Sequence, residues 1–304
     1  MSAVRFPRLV LVGLGLGAVA SAALAAIGAP TPGIVNAAMV AHVSGLLAGY
    51  LVAVMIILMA RIPILENRVG PDTLTRWHGR GGRLVLLLIL LHGWSAVQAW
   101  AQSRQQDLLS TAVDVLGLPG LGAATAGTAL FVAIAALSIR AARRRVPYET
   151  WHGIHLLTYV AIALSFVHEL AGPNLAGHLW VQLAWSLLYT YALGLVLRYR
   201  LVAPLLAVWR HRLRVEAVIP EAAGVVSVIM RGRHIDELAA QPGQFFRWRF
   251  MTAAKWGSAH PFSLSAPPRS DRLRITVKDL GTGSRLVHSI RPGTLVFAEG
   301  LPGR

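Results

Sequence analysis

Cysteine is absent from all 304 residues. That removes disulfides, iron–sulfur clusters, thiolate-ligated haem and the C-x-x-C-H attachment of c-type haem together, so any metal or haem must be held by His, Met or carboxylate. Acidic residues are scarce as well, 13 Asp and Glu against 29 Lys and Arg, for a formal net charge of +16. Charged residues of either sign make up only 14% of the chain, while 55% is hydrophobic and the mean hydropathy is +0.56. A soluble domain of this length is excluded, and the composition is that of a membrane protein whose first partner is the lipid bilayer. The basic excess would suggest nucleic acid if the arginines formed one face. They cluster instead in short segments between apolar runs, which is loop charge at a membrane rather than a phosphate-binding stripe. No nucleic-acid partner is expected.

Runs free of Asp, Glu, Lys and Arg and long enough to cross a hydrocarbon core of about 30 Å occur six times. They are Leu9 to Ala29, Ile34 to Ala60, Leu84 to Ser103, Val115 to Ile139, Trp151 to His168 and Leu170 to Leu197. Turn chemistry marks the breaks: "APTPG" at 29–33, "GLPGLG" at 117–122 and "AGPN" at 171–174. The first run has a basic start and a small-residue end like a signal peptide, but its apolar stretch exceeds the usual length and is read as a span. If the runs alternate, Arg5, Arg8, Arg61, Arg68, Arg76, Arg80, Arg83, Arg140, Arg143, Arg144, Arg145, Arg198 and Arg200 fall on one side and Arg104 on the other. A multi-pass protein of the cell (plasma) membrane with both termini cytoplasmic is expected.

After Arg200 the texture turns soluble, with "RVEAVI", "GVVSVIM", "QFFRWRF", "LRITVKDL" and "TLVFAEG" separated by Gly, Pro and Asp. Short strands at this spacing suggest a small antiparallel barrel. The expected architecture is a membrane all-α six-helix bundle over residues 1–200 followed by a small antiparallel β-barrel over residues 201–304.

Of the eleven histidines, His42, His78, His92, His152, His155 and His168 lie in or at the ends of the runs, and His178 lies near the start of the sixth. A polar group in hydrocarbon needs a partner, and for any single imidazole an interhelical hydrogen bond would do. Pairs are more informative. His78 and His92, fourteen residues apart, are separated by about 21 Å on one helix and lie within about 40° of the same face. His155 and His168, thirteen apart, span about 19.5 Å on the fifth run. The third and fifth spans run in the same direction, so two stacked sites follow, each with one imidazole from each helix. That arrangement suits two b-type haems with both axial positions filled. Zinc would gather three or four ligands in one place. On an ideal helix His155 and His168 are about 140° apart, so the fifth span must be tilted or irregular, and His152 competes with His155 for the first site.

In "YETWHGIHLLTYVAIALSFVHEL" the frame YE-x-W-x-x-x-H-x-x-x-Y resembles bacterial members of the ferric reductase and NADPH oxidase superfamily. The resemblance implies His78 and His155 as ligands of an inner haem b and His92 and His168 of an outer one. His42, His152 and His178 are left to surface, packing or propionate contacts, and Arg76, Arg80 and Arg83 to propionates or to topology. The soluble part is similar to the same superfamily. "HPFSLSAPP" resembles its FAD-binding strand, which implies Phe262 against the isoalloxazine, Ser263 near its reactive nitrogen and His260 toward the pyrophosphate, with Pro261 between them. "VKDLGTGSRLV" resembles its phosphate-binding turn, which implies Lys278, Gly281, Gly283 and Ser284 as further flavin contacts. The superfamily often has Thr where Ser284 stands, and its eukaryotic oxidases carry a further His where this chain has Ala96.

The superfamily continues into a nicotinamide-binding domain, whereas this sequence stops at "AEGLPGR" with no G-x-G-x-x-[GP] loop between strand and helix. "GLGLGAVAS" sits inside an apolar run and reads as close helix packing. The expectation is therefore an oxidoreductase passing electrons from NAD(P)H, through a nicotinamide domain or protein outside this chain, to FAD, two haems and an external acceptor, ferric iron or oxygen. The rivals are a haem and flavin subunit serving a separate partner protein, and a six-helix transporter using His as a proton relay.

Overall fold

The computed structural model describes residues 5–28, 35–139, 144–238, 240–252 and 260–300, the side chains at 282, 283, 299 and 300 excepted. The turn expected at 29–33, Arg140, Arg143 and the final residues 301–304 lie outside them. The chain forms two compact units, Met1–Met59 with Asp72–Gly194 and Ala60–Pro71 with Leu195–Arg304.

The first unit is helical because a backbone in hydrocarbon must satisfy its own hydrogen bonds. It contains α1 (Arg5–Ile27), α2 (Ala37–Leu58), α4 (Pro71–Arg104), α5 (Leu108–Leu116), α6 (Leu121–Ser138), α7 (Tyr148–Leu156), α8 (Thr158–Ala171) and α9 (Leu179–Val196), while the short α3 (Pro63–Arg68) belongs to the second unit. Among the described residues six helical stretches are long and apolar enough to span a membrane, α7 with α8 making the fifth and α9 continuing to His211 as the sixth. Leu16, Val19, Leu87 and Leu187 on these stretches are exposed, as side chains facing lipid would be. Chemistry at the ends matches the sequence. Asn36 Oδ1 accepts from Met39 N at 2.9 Å, Asp107 Oδ1 accepts from Leu109 N and Ser110 N at 3.0 Å each, and Gly120 takes φ 80° where "GLPGLG" separates α5 from α6. Gly17 packs against Tyr50, whose hydroxyl donates to Leu14 O at 3.0 Å, whereas Gly13 and Gly15 face open space.

Three spans depart from the charge-free runs, the sixth by starting at Leu179 rather than Leu170. α4 begins at Pro71, thirteen residues before the run that located it, because Arg76, Arg80 and Arg83 end a hydrophobic stretch without ending a helix. The fifth span breaks at Leu157, whose N–H bonds Ile154 O at 3.0 Å in a tighter i→i−3 turn, while the Thr158 hydroxyl takes His155 O at 2.8 Å. At the end of the sixth span Leu197–Val202 is a π-helix in which Ala203 N bonds Arg198 O. Pro204, which has no N–H to give to Arg200 O and whose ring crowds that carbonyl, accounts for the slip before α10 (Ala203–His211).

In the second unit β1 (Arg214–Ala222), β2 (Val225–Arg231) and β5 (Arg272–Lys278) form one antiparallel sheet in the order β1-β2-β5, and β3 (Phe245–Phe250), β4 (His260–Ser263) and β6 (Val296–Gly300) another in the order β4-β3-β6. A helix, α11 (Thr282–His288), follows β5. Alternation along "FFRWRF" turns Phe246, Trp248 and Phe250 inward, where they meet Val228, Met230, Leu273, Ile275 and Val287 in a core that excludes solvent. The small antiparallel β unit expected here is built from these two sheets and is not a closed barrel. Among the described residues the bridges Arg214↔Leu295 and Leu264↔Ile275, with neighbouring bonds such as Val215 N to Thr294 O, join them, and β4, four residues long with Pro261 inside and Pro267 and Pro268 beyond, lacks the donors for a continuous ladder.

Candidate functional site

The third and fifth spans bring the membrane histidines together two by two. The rings of His78 and His155 have centroids 6.0 Å apart at an interplanar angle of 77°, and those of His92 and His168 are 6.0 Å apart at 44°. Imidazole bonds of about 2.0 Å to one metal from opposite sides, plus about 1.1 Å from each nitrogen to its ring centre, give a centroid separation of about 6 Å. The spacing therefore suits one metal held by two rings. Among the described residues no three His, Asp or Glu gather as a metal site.

Local irregularity makes the pairing possible. Each residue that turns about 120° rather than 100° moves His155 and His168 about 20° toward a common face, and the tight turn at Leu157 lies between them. His155 also stacks on Trp151, with centroids 5.1 Å apart at 20°. Its Nδ1 is buried without a hydrogen-bond partner. The ring of His152 stacks on Tyr148 at 5.8 Å and 6°.

His92 is held differently. Its Nδ1 lies 2.8 Å from Ala41 O, and since a carbonyl only accepts, Nδ1 carries the proton and leaves the Nε2 lone pair free to bind a metal. His42 is half-buried on α2, and buried Asn174 donates its amide to Ala25 O at 3.3 Å. His178 is exposed at the start of α9, where its carbonyl accepts from Val181 N and Gln182 N. Arg76, Arg80 and Arg83 are exposed on the turns of α4 around His78, and Arg76 donates to Thr73 Oγ1 at 2.9 Å.

A cluster beside His168 was not foreseen. Glu169 accepts from Trp185 Nε1 at 2.9 Å, and Tyr189 OH lies 3.3 Å from its other oxygen while donating to Gly49 O at 2.9 Å. Glu169 had ended a charge-free run. Inside a continuous helix the same residue is a carboxylate in the membrane, and its position directly after a paired His was the available signal.

In the β unit His260 and Phe262 are neighbours on β4, with ring centroids 6.2 Å apart. Phe262 is half-buried against the core and Pro261 and Ser263 are exposed. Antiparallel register from the Leu264↔Ile275 bridge runs "HPFS" back alongside the end of β5, where Lys278 leads into the Gly281 turn, so the two flavin-like motifs share one end of the unit. In that turn Gly281 takes φ 144°, a conformation closed to side chains, and donates to Asp279 Oδ1 at 3.2 Å. Arg285 Nε bonds the other Asp279 oxygen at 3.1 Å, and the two contacts hold the Asp279 carboxyl below its ordinary range. Ser284 Oγ accepts from Leu280 N at 2.7 Å and donates to Gly281 O at 3.0 Å, so the hydroxyl expected to face phosphate braces its own turn. Gly283 lies in the first turn of α11.

Residues 44–166 match the family described as "Ferric reductase like transmembrane component". The match contains His78, His92 and His155 and ends two residues before His168; the β unit lies beyond it. No curated protein matches the chain significantly.

Proposed function

We propose, from the match of residues 44–166 to the ferric reductase-like transmembrane family, that the chain passes single electrons across a membrane, from NAD(P)H through FAD and two b-type haems to ferric iron or oxygen on the far side. In this reading His78 and His155 hold one haem and His92 and His168 the other. The observation that carries it is the repeated 6.0 Å ring separation, twice over on the same two spans. When bound, haem held by two imidazoles would supply one-electron centres that carry electrons, and FAD would supply the exchange between a hydride and single electrons.

The chain's own residues do the positioning. The Ala41 carbonyl sets the tautomer of His92, and stacking on Trp151 limits the rotation of His155. Arg76, Arg80 and Arg83, all within about one and a half turns of His78, would offer cations to haem propionates. On the β unit Pro261, Phe262 and Ser263 would supply the flavin's ring-side contacts and His260, Lys278, Gly281, Gly283 and Ser284 its phosphate contacts. Ser284 would offer phosphate the hydroxyl that Gly281 O accepts here. The arginine distribution supports both termini, and the β unit with them, on the cytoplasmic side of a plasma membrane.

The test is a reduced-minus-oxidised optical spectrum of the purified full chain with haem and flavin quantified. Two b haems and one FAD per chain are expected. A monodisperse preparation that shows no Soret band after reconstitution with excess haem overturns the proposal.

A further inference from the structure

The helix α2 brings no paired histidine, yet it shapes the surroundings of one. Ala41 and Gly45 lie four residues apart on one of its faces, one turn above the other. A helical side chain leans back over the preceding turn and covers the carbonyl there. Gly45 has no side chain, so the Ala41 carbonyl stays uncovered and His92 Nδ1 reaches it at 2.8 Å. The same gap admits the ring itself: a Cβ at Gly45 would stand 2.7 Å from His92 Nδ1, 2.9 Å from Cε1 and 3.4 Å from Cγ. The first two distances are shorter than side chains tolerate, and the atoms met belong to a rigid ring already facing His168. One turn further, Gly49 is filled in the same manner by Trp185 and Glu169, so that neighbour would resist a shift of α2.

We infer that α2 is the positioning element of the His92–His168 haem site, the Ala41 carbonyl fixing the tautomer and tilt of His92 and Gly45 providing the space in which that tilt is possible. The inference rests on the haem reading above. It assigns a task to two residues that carry no chemistry of their own, and it makes one of the two sites dependent on a third helix. Loss of such an outer contact weakens metal binding by about 10- to 100-fold.

The experiment compares the full chain with Gly45→Ala, Gly93→Ala, His92→Ala and the Gly45→Ala/His92→Ala double variant. Haem per chain, low-spin electron paramagnetic resonance signals and thermal unfolding are measured. Gly93 adjoins His92 but has nothing within 4 Å of an added Cβ, so it controls for the change of glycine to alanine in α4. In the parent, ring planes at 77° and 44° should give two distinguishable signals. Gly45→Ala should lose or shift the signal belonging to the 44° pair, keep the other, and unfold at lower temperature than the parent. Gly93→Ala should resemble the parent. Once His92→Ala removes the ring, Gly45→Ala should cost nothing further in unfolding temperature. Two unchanged signals in Gly45→Ala, or a penalty that persists in the double variant, including failure of both to fold, overturns the inference while leaving the haem reading intact. A parent without haem overturns both.

Discussion

At the residue scale, the informative groups are imidazoles placed where water cannot serve them. A single buried His is satisfied by hydrogen bonds alone, whereas two rings 6.0 Å apart, twice, leave the spacing that the proposed haem ligation requires. The spacing of His78, His92, His155 and His168 made these positions legible without coordinates. The choice between His152 and His155 was not legible from periodicity, because it depends on which ring turns toward α4 and which lies against Tyr148. The two variants separate cleanly: His155→Ala should reduce haem from about two per chain to about one, and His152→Ala should leave the number unchanged, both read by haem extraction. Equal losses would reverse the assignment. Gly45, Gly49 and Glu169 went unrecognised because their importance comes from what approaches them, and a sequence does not record its neighbours in space.

At the element scale, a run without charges measures the hydrocarbon thickness and not the helix. α4 shows this, since three arginines lie within its continuous length. The fifth span shows the converse. Its thirteen-residue His spacing is wrong for an ideal helix, and that mismatch was visible as a required irregularity whose place was unknown. The break at Leu157 is held by the Thr158 hydroxyl on His155 O. Deleting Leu157 would turn α8 by about 100° relative to α7 and shift it by about 1.5 Å. The deletion should therefore cost about one haem per chain, with His155 and His168 no longer facing α4 together, and retention of two would show that the turn does not set the pairing. In the β unit the alternation of "FFRWRF" fixed which residues form the core, whereas barrel closure depended on short β4 and its prolines.

At the scale of the whole molecule, the absence of cysteine turns topology into a direct measurement, because any thiol introduced is the only one. Ser110 is exposed on α5 and Ala223 is exposed between β1 and β2. With the arginine-rich loops inside, Ser110→Cys should react with a membrane-impermeant maleimide on intact cells, and Ala223→Cys only after permeabilisation. The reverse pattern would invert the direction of electron flow. Composition, the six apolar stretches and the strand alternation were decided by the sequence, because solvent transfer and backbone satisfaction act on each segment separately. The ring that faces another, the glycine that makes room for it and the turn that rotates it into place were decided only in three dimensions. Those contacts join residues far apart in the chain, and their geometry depends on how the helices pack.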